Sequence, residues 1–174
     1  LNHGAYIMGP EVGALESRLG EWTKAAHNIS CSSGTDALLL ALHGLELQFG
    51  QGVIVPSFTF AASAEVMPIM GAIPIFAEVE ADSFNLDPNK LEAALAAGQA
   101  ANIDVVGIIG VGLFGQPANY DAIRKFANAH NLWLIDDAAQ SFGAQWQGRP
   151  VGQLADVTST SFFPAKPLGA YGDG

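Results

Sequence analysis

Lys166 lies between Pro164 and Pro167 and is followed by Gly169, Gly172 and Gly174. Proline fixes φ and glycine admits positive φ, so this amine sits on a shaped loop rather than on a helix or strand. The apolar pair Phe162-Phe163 just before it predicts partial desolvation. Desolvation favours the neutral, nucleophilic amine, the chemistry of a Schiff-base lysine. A loop lysine that merely extends its ammonium into solvent is the other reading of the same residues. Upstream, Asp136-Asp137-Ala138-Ala139-Gln140 follows a predicted strand. Alternation along a strand turns the two aspartates to opposite sides, so they make a poor acid–base dyad and only one need face a crevice. Asp137 and Gln140 are three apart and can address one ligand after a turn. A carboxylate there suits a cation such as a protonated ring nitrogen. A metal site or a helix cap is the alternative, and the histidines, His3, His27, His43 and His130, are too scattered to favour a metal.

Two more stretches carry groups that can hold a ligand. Ser32-Ser33-Gly34-Thr35-Asp36 follows a short segment, Asn28 to Cys31, read as a strand, and precedes an apolar helix from Ala37 to Leu47. A small polar turn at a helix start presents free N–H groups and the positive end of the dipole to a phosphate. The same residues also read as a plain N-cap by Ser33 or Thr35. Phe58 and Phe60 come just after a strand at Val53 to Val55, where an aromatic face can cover a planar ring or simply pack in the core. A strand from Val157 to Phe163 carries Ser159 and Ser161 on one face and delivers a hydroxyl close to Lys166.

These groups need a scaffold, and the rest of the chain spells one. Val12, Leu15, Leu19, Trp22 and Ala26 step by three and four, predicting a helix over 11–27 with one apolar stripe. A small-residue helix runs from Ala61 toward Met70, a strand from Ile73 to Val79, a helix from Asn89 to Ala97 opened by Asp87-Pro88, and a strand from Val105 to Ile109. A helix from about Ala118 to His130 and a strand from Leu132 to Ile135 follow. Alternation of this kind predicts an α/β fold, three layers with a mostly parallel sheet. His43, inside an apolar helix, reads as a core residue. Gly110-Val111-Gly112-Leu113-Phe114-Gly115 is a literal G-x-G-x-x-G after a strand, with Asp136 lying 21 residues past Gly115. That spacing suggests dinucleotide binding and a nicotinamide-dependent oxidoreductase. Against it stand its late position in the chain, the Gln116-Pro117 interruption before the helix, and the lack of any role for Lys166.

The chain has 174 residues, about half of them apolar, with 17 acidic and 7 basic side chains for a net charge of −10. One sizeable core is affordable, and a surface this negative repels phosphate backbones and anionic membranes, which disfavours nucleic acid as a partner. Cys31 is the lone cysteine, so there is no internal disulfide. No apolar run approaches the roughly 18 residues of a membrane span, and the expected location is cytoplasmic.

A phosphate, a flat ring, a ring nitrogen seeking a carboxylate and an aldehyde seeking an amine belong together in pyridoxal 5′-phosphate. The sequence resembles the sugar-nucleotide aminotransferases of the DegT/DnrJ/EryC1/StrS family, fold type I of the pyridoxal-phosphate enzymes. The resemblance rests on YIMGPEV at 6–12, CSSGTDALLLAL at 31–42, PSFTFAASAE at 56–65, FGQP at 114–117, DDAAQSFGA at 136–144 and TSFFPAKPLGAYGDG at 160–174, in one order. It implies that Lys166 is the cofactor-bonding lysine and Asp137 the partner of the pyridine nitrogen. It further implies that Gln140 reaches the phenolic oxygen, Phe60 covers the ring, and Gly34, Thr35 and Ser161 hold the phosphate. The implied reaction moves an amino group, usually from glutamate, to a nucleotide-linked keto-sugar in ping-pong order. Related dehydratases with the same cofactor are expected to replace the lysine with histidine, so Lys166 favours transfer; a non-catalytic regulatory protein on the same fold is a further reading. The resemblance also implies that residues 1–174 are the N-terminal part of the large domain, with the small domain absent. It implies a homodimer with shared sites at full length, and an inactive fragment alone. One departure is that Gly110 and Gly112 stand where the family often has proline and histidine.

Overall fold

Five strands in the computed structural model, which describes residues 3–172 and 174, form one parallel sheet. Asp173 of the closing motif lies outside the described residues. In chain order the elements are α1 (Pro10–Thr23), α2 (Gly34–Gly44), β1 (Gly52–Pro56), α3 (Ala62–Ile69), β2 (Ile73–Ala77), α4 (Leu91–Ala100), β3 (Val105–Val111), α5 (Tyr120–Ala129), β4 (Trp133–Asp137), a two-residue hairpin of β5 (Gln145–Trp146) and β6 (Arg149–Pro150), and β7 (Val157–Ser159). The sheet order is β2-β1-β3-β4-β7, every pairing parallel.

The strands are apolar on both faces, as a parallel sheet covered on both sides requires. Ile54, Ile108 and Leu134 pack with α4 and α5, whereas Val53, Val55, Ile109, Val111 and Ile135 pack with α2 and α3. The result is the three-layer α/β/α arrangement that the alternation predicted. The chain leaves β1 for β2 in one direction, and α4 then returns it across β1 to β3. β1 and β3 are therefore neighbours whose connections diverge, and a crevice opens beyond their carboxyl ends.

Several expectations change. Residues 28–31 form no strand; the Ser30 N–H and hydroxyl both go to Glu16 of α1 at 2.8 Å, so this segment is tied to a helix rather than to a ladder. The polar turn joins the helix that follows, because Ser33 caps α2 by accepting from the Asp36 N–H and Gly34 and Thr35 become its first turn. β7 stops at Ser159 instead of reaching Phe163, since its partner β4 ends at Asp137, opposite Ser159, and turns away. The α4 region opens with a 3₁₀ turn at Pro88–Lys90 capped by Asp87 before the α-helix begins at Leu91. The apolar stripe of α1 is largely uncovered: Leu15 and Trp22 are exposed, and Trp22 touches Phe142 with ring centroids 5.0 Å apart. His43 is also exposed, because α2 buries Leu38, Ala41 and Leu42 and turns His43 outward.

Candidate active site

The parity of β4 decides the chemistry at its end. Ile135 faces α2 and α3, so Asp137 faces the same way and Asp136 faces α5. The two carboxylates have different partners: Tyr120 of α5 donates to Asp136, and Ser63 of α3 donates to Asp137 Oδ2 at 2.7 Å. The Ala139 N–H donates to Asp137 Oδ1 at 3.2 Å, and the Thr59 and Ser63 hydroxyls lie 3.2 Å apart. Burial pushes the Asp137 carboxyl above its usual range, while the Ser63 and Ala139 hydrogen bonds and the positive charge of Lys166 pull it back down. The outcome is a buried carboxylate with one fixed donor on each oxygen and its face open to a cavity.

That cavity is about 360 Å³ and is lined by Gly34, Thr35, Phe60, Asp137, Gln140, Ser161 and Lys166, together with Ser33, Thr59 and Phe163. All seven residues singled out in the sequence thus meet in one place, beyond the carboxyl ends of β1, β3 and β4. At one end stands the first turn of α2. Ser33 occupies the Asp36 N–H, and the N–H groups of Gly34 and Thr35 have no intrahelical acceptor. A Cβ on Gly34 would lie 2.8 Å from Ser161 Cβ and 3.2 Å from the Thr160 carbonyl, so only glycine lets the helix end approach the chain beyond β7. At the other end, the Lys166 loop is fastened by the Lys166 N–H to the Phe163 carbonyl at 2.8 Å. Lys166 is half-buried, with Nζ 5.6 Å from the centroid of the Phe60 ring. The Gln140 side-chain oxygen accepts from the Phe114 N–H at 2.9 Å, which leaves its NH₂ for a ligand. A second cavity, of about 430 Å³, shares Gln140, Phe163 and Lys166 and adds Phe114, Ala165 and Pro167.

The G-x-G-x-x-G segment builds no dinucleotide cradle. Gly110 lies within β3 against the Tyr120 ring, and a Cβ on Gly112 would meet Ser141 Oγ at 2.1 Å, so these glycines make room for side chains of their own fold. α5 begins only at Tyr120, capped by Asn119, and Asp136 is fully enclosed and bonded to Tyr120 instead of reaching outward for a ribose. Sequence reasoning missed Ser63, Thr59 and Tyr120. Nothing in the sequence around Ser63 signals its role, which appears only when α3 packs its buried hydroxyl against Asp137. No group of His, Cys, Asp and Glu suited to a metal occurs among the described residues, nor does any helix long and apolar enough to cross a membrane.

Known proteins share this arrangement. The Pseudomonas aeruginosa UDP-2-acetamido-2-deoxy-3-oxo-D-glucuronate aminotransferase is 46% identical over 174 residues, which is 100% of this chain and 47% of that protein. The crystal structure of a DegT DnrJ EryC1 StrS aminotransferase from Brucella abortus superposes with a TM-score of 0.96 at 46% identity, covering 99% of this chain and 47% of the other. A Bacillus subtilis protein with bound cofactor PMP superposes with a TM-score of 0.89 at 31% identity, over 99% of this chain and 37% of the other. The chain thus spans about half the length of the curated relatives it matches. The model of the DegT/DnrJ/EryC1/StrS aminotransferase family matches residues 1–174 throughout, and the chain belongs to that family.

Proposed function

We propose that the protein carrying this chain is a pyridoxal-phosphate-dependent aminotransferase that moves an amino group, from glutamate or a similar donor, to a keto-sugar linked to a nucleotide. The observation that carries the reading is the convergence of Lys166, Asp137 and the Gly34–Thr35 helix end on one cavity. The donor set fits the cofactor piece by piece. Free N–H groups and the Thr35 and Ser161 hydroxyls suit a phosphate at a helix N-terminus. The apolar Phe60 face suits a ring, and the Asp137 carboxylate, fixed by Ser63, suits a protonated ring nitrogen. The names of relatives, the Pseudomonas protein among them, support a nucleotide-linked keto-sugar as acceptor.

Bound pyridoxal phosphate supplies an aldehyde that carries the amino group and a ring that withdraws electrons. The chain's residues do the rest. Lys166 Nζ would hold the cofactor through its aldehyde carbon, with loss of water, and as a free amine would take up and hand on a proton at Nζ. Asp137 holds the proton on the ring nitrogen. Gln140 offers its NH₂ to the ring oxygen while its own oxygen stays on Phe114. The second cavity, beyond Lys166, receives the sugar. The same reading makes residues 1–174 the N-terminal part of the cofactor-binding domain in a cytoplasmic homodimer, which sizing of the full-length protein and cell fractionation test. For the chemistry, borohydride reduction of the full-length protein followed by peptide mapping finds the pyridoxyl group on Lys166. Lys166→Ala abolishes that adduct, the visible absorbance of the lysine-bound cofactor and amino transfer; wild-type absorbance in the variant would overturn the proposal.

A further inference from the structure

Behind β4, on the face turned away from the cavity, a second carboxylate is buried without a cation. Asp136 is fully enclosed, as is Tyr120, whose phenol donates to Asp136 Oδ1. Asp136 Oδ2 has no hydrogen-bond partner, and neither does Thr158 Oγ1, its neighbour in register across β4 and β7. The charged groups on the packed elements do not compensate it. Arg124 of α5 is spent on both oxygens of Asp156, just before β7, and Asp121 and Lys125 of α5 and His130 just past it are exposed. The adjacent ionisable group is Asp137, itself acidic. An unpaired carboxylate enclosed in apolar packing is costly to ionise, and a like charge one residue away raises that cost.

We propose that Asp136 is a positioning residue for the ring-nitrogen carboxylate. Enclosed behind β4, it is neutral on the acid side of its titration and leaves Asp137 to face the cavity without a second charge beside it, and its ionisation on the alkaline side adds a charge that tightens the hold on a protonated ring. The inference rests on the reading of Asp137 as partner of the ring nitrogen. Burial pushes the Asp136 carboxyl up to about 7, with the Tyr120 hydrogen bond opposing and the Asp137 charge assisting, so the change of state falls within the working pH of an enzyme. Burial and the two aspartates push the Tyr120 phenol well above its ordinary range, so it remains a donor throughout. The proton released by Asp136 goes to solvent.

The test uses the full-length protein in two forms. With cofactor bound, its absorbance is titrated with pH in wild type, Asp136→Asn and Tyr120→Phe. Wild type shows a spectral step with its midpoint near 7. Asp136→Asn lacks that step, and Tyr120→Phe moves it to higher pH, because the lost phenol hydrogen bond had favoured the ionised form. A step in Asp136→Asn at the wild-type midpoint, or an acid shift in Tyr120→Phe, overturns the inference. Without cofactor, denaturant unfolding is followed between about pH 4 and 7. An acid whose folded pKa is raised keeps its proton in the native state while the unfolded chain loses it, so the Asp136 contribution to wild-type stability falls as pH rises through this window, by tenfold in the folding constant per pH unit for one proton, on top of the decline from Asp137 that wild type and variant share. Asp136→Asn loses that one-proton slope, and retention of the full slope overturns the inference. Should Asp136→Asn not fold, the extension of the slope to higher pH in Tyr120→Phe decides the matter, its absence counting against the proposal. Failure of wild type to bind any pyridoxal cofactor would overturn the reading of Asp137 instead, and the cofactor-free measurement would still judge the neutrality of Asp136.

Discussion

Replacing Ser63 with alanine removes the hydroxyl that donates to Asp137 Oδ2 at 2.7 Å and leaves Ala139 as the remaining backbone donor to that carboxylate. Ser63 is fully buried, so water does not replace it. A hydrogen bond to a charged group contributes about 1.5–3 kcal/mol, so its loss pushes the Asp137 carboxyl further up, on top of the rise that burial already imposes. The sign of the stability effect follows from linkage. Asp137 is protonated in the native state to a higher pH than in the unfolded chain, so its contribution declines as pH rises from the unfolded value to the raised folded one, and Ser63→Ala extends that decline further upward. Urea unfolding of the full-length, cofactor-free protein at a series of pH values should therefore show a wild-type-minus-variant difference that is small in acid, where Asp137 is protonated in both states, and grows to about 1.5–3 kcal/mol in alkali. Ser63→Thr, which keeps the hydroxyl, should restore most of it. A difference of the same size at every pH would refute the reasoning, because it would mean that Ser63 packs rather than charges.

Gly34→Ala places a methyl 2.8 Å from Ser161 Cβ; equilibrium titration with pyridoxal phosphate should show at least tenfold weaker binding, with unchanged far-ultraviolet dichroism. Phe60→Ala removes the ring cover and should speed loss of the cofactor on dilution by roughly two- to tenfold, the equivalent of about 0.5–1.5 kcal/mol of aromatic contact, whereas Phe60→Tyr should leave it near wild type.

The layers and the sheet direction were legible because buried parallel strands are apolar throughout and separate cleanly from the helices between them. The seven candidate residues stood out because the motifs of the resembled family pass through them, and the stretches around them, rich in Gly, Pro and small polar residues, break the periodicity of strand and helix; the structure gathers them around one cavity. What escaped was set by long-range packing. Nothing within residues 28–31 announces that Glu16 takes the Ser30 donors that a strand would have used, and β7 ends early because of where β4 ends, not because of its own residues. Ser63 escaped because a lone serine in an alanine-rich helix shows its role only when Asp137, distant in sequence, is placed against it. The glycines at 110 and 112 imitate a nucleotide motif because spacing records where side chains are missing and says nothing of what fills the gap, here Tyr120 and Ser141.

Within the cavity Gly34 and Ser161 come close together from positions far apart in the sequence. Contacts of such long sequence separation form slowly, since much of the intervening chain must be ordered before the two segments can meet. The α2 end of the cavity therefore depends on the completed packing of the chain that lies between them. A ligand that bridges the two sides binds the completed fold alone, and so draws the folding equilibrium forward by mass action. Occupancy then protects α2 and the chain beyond β7 together from amide exchange, two segments that share little else in the sequence.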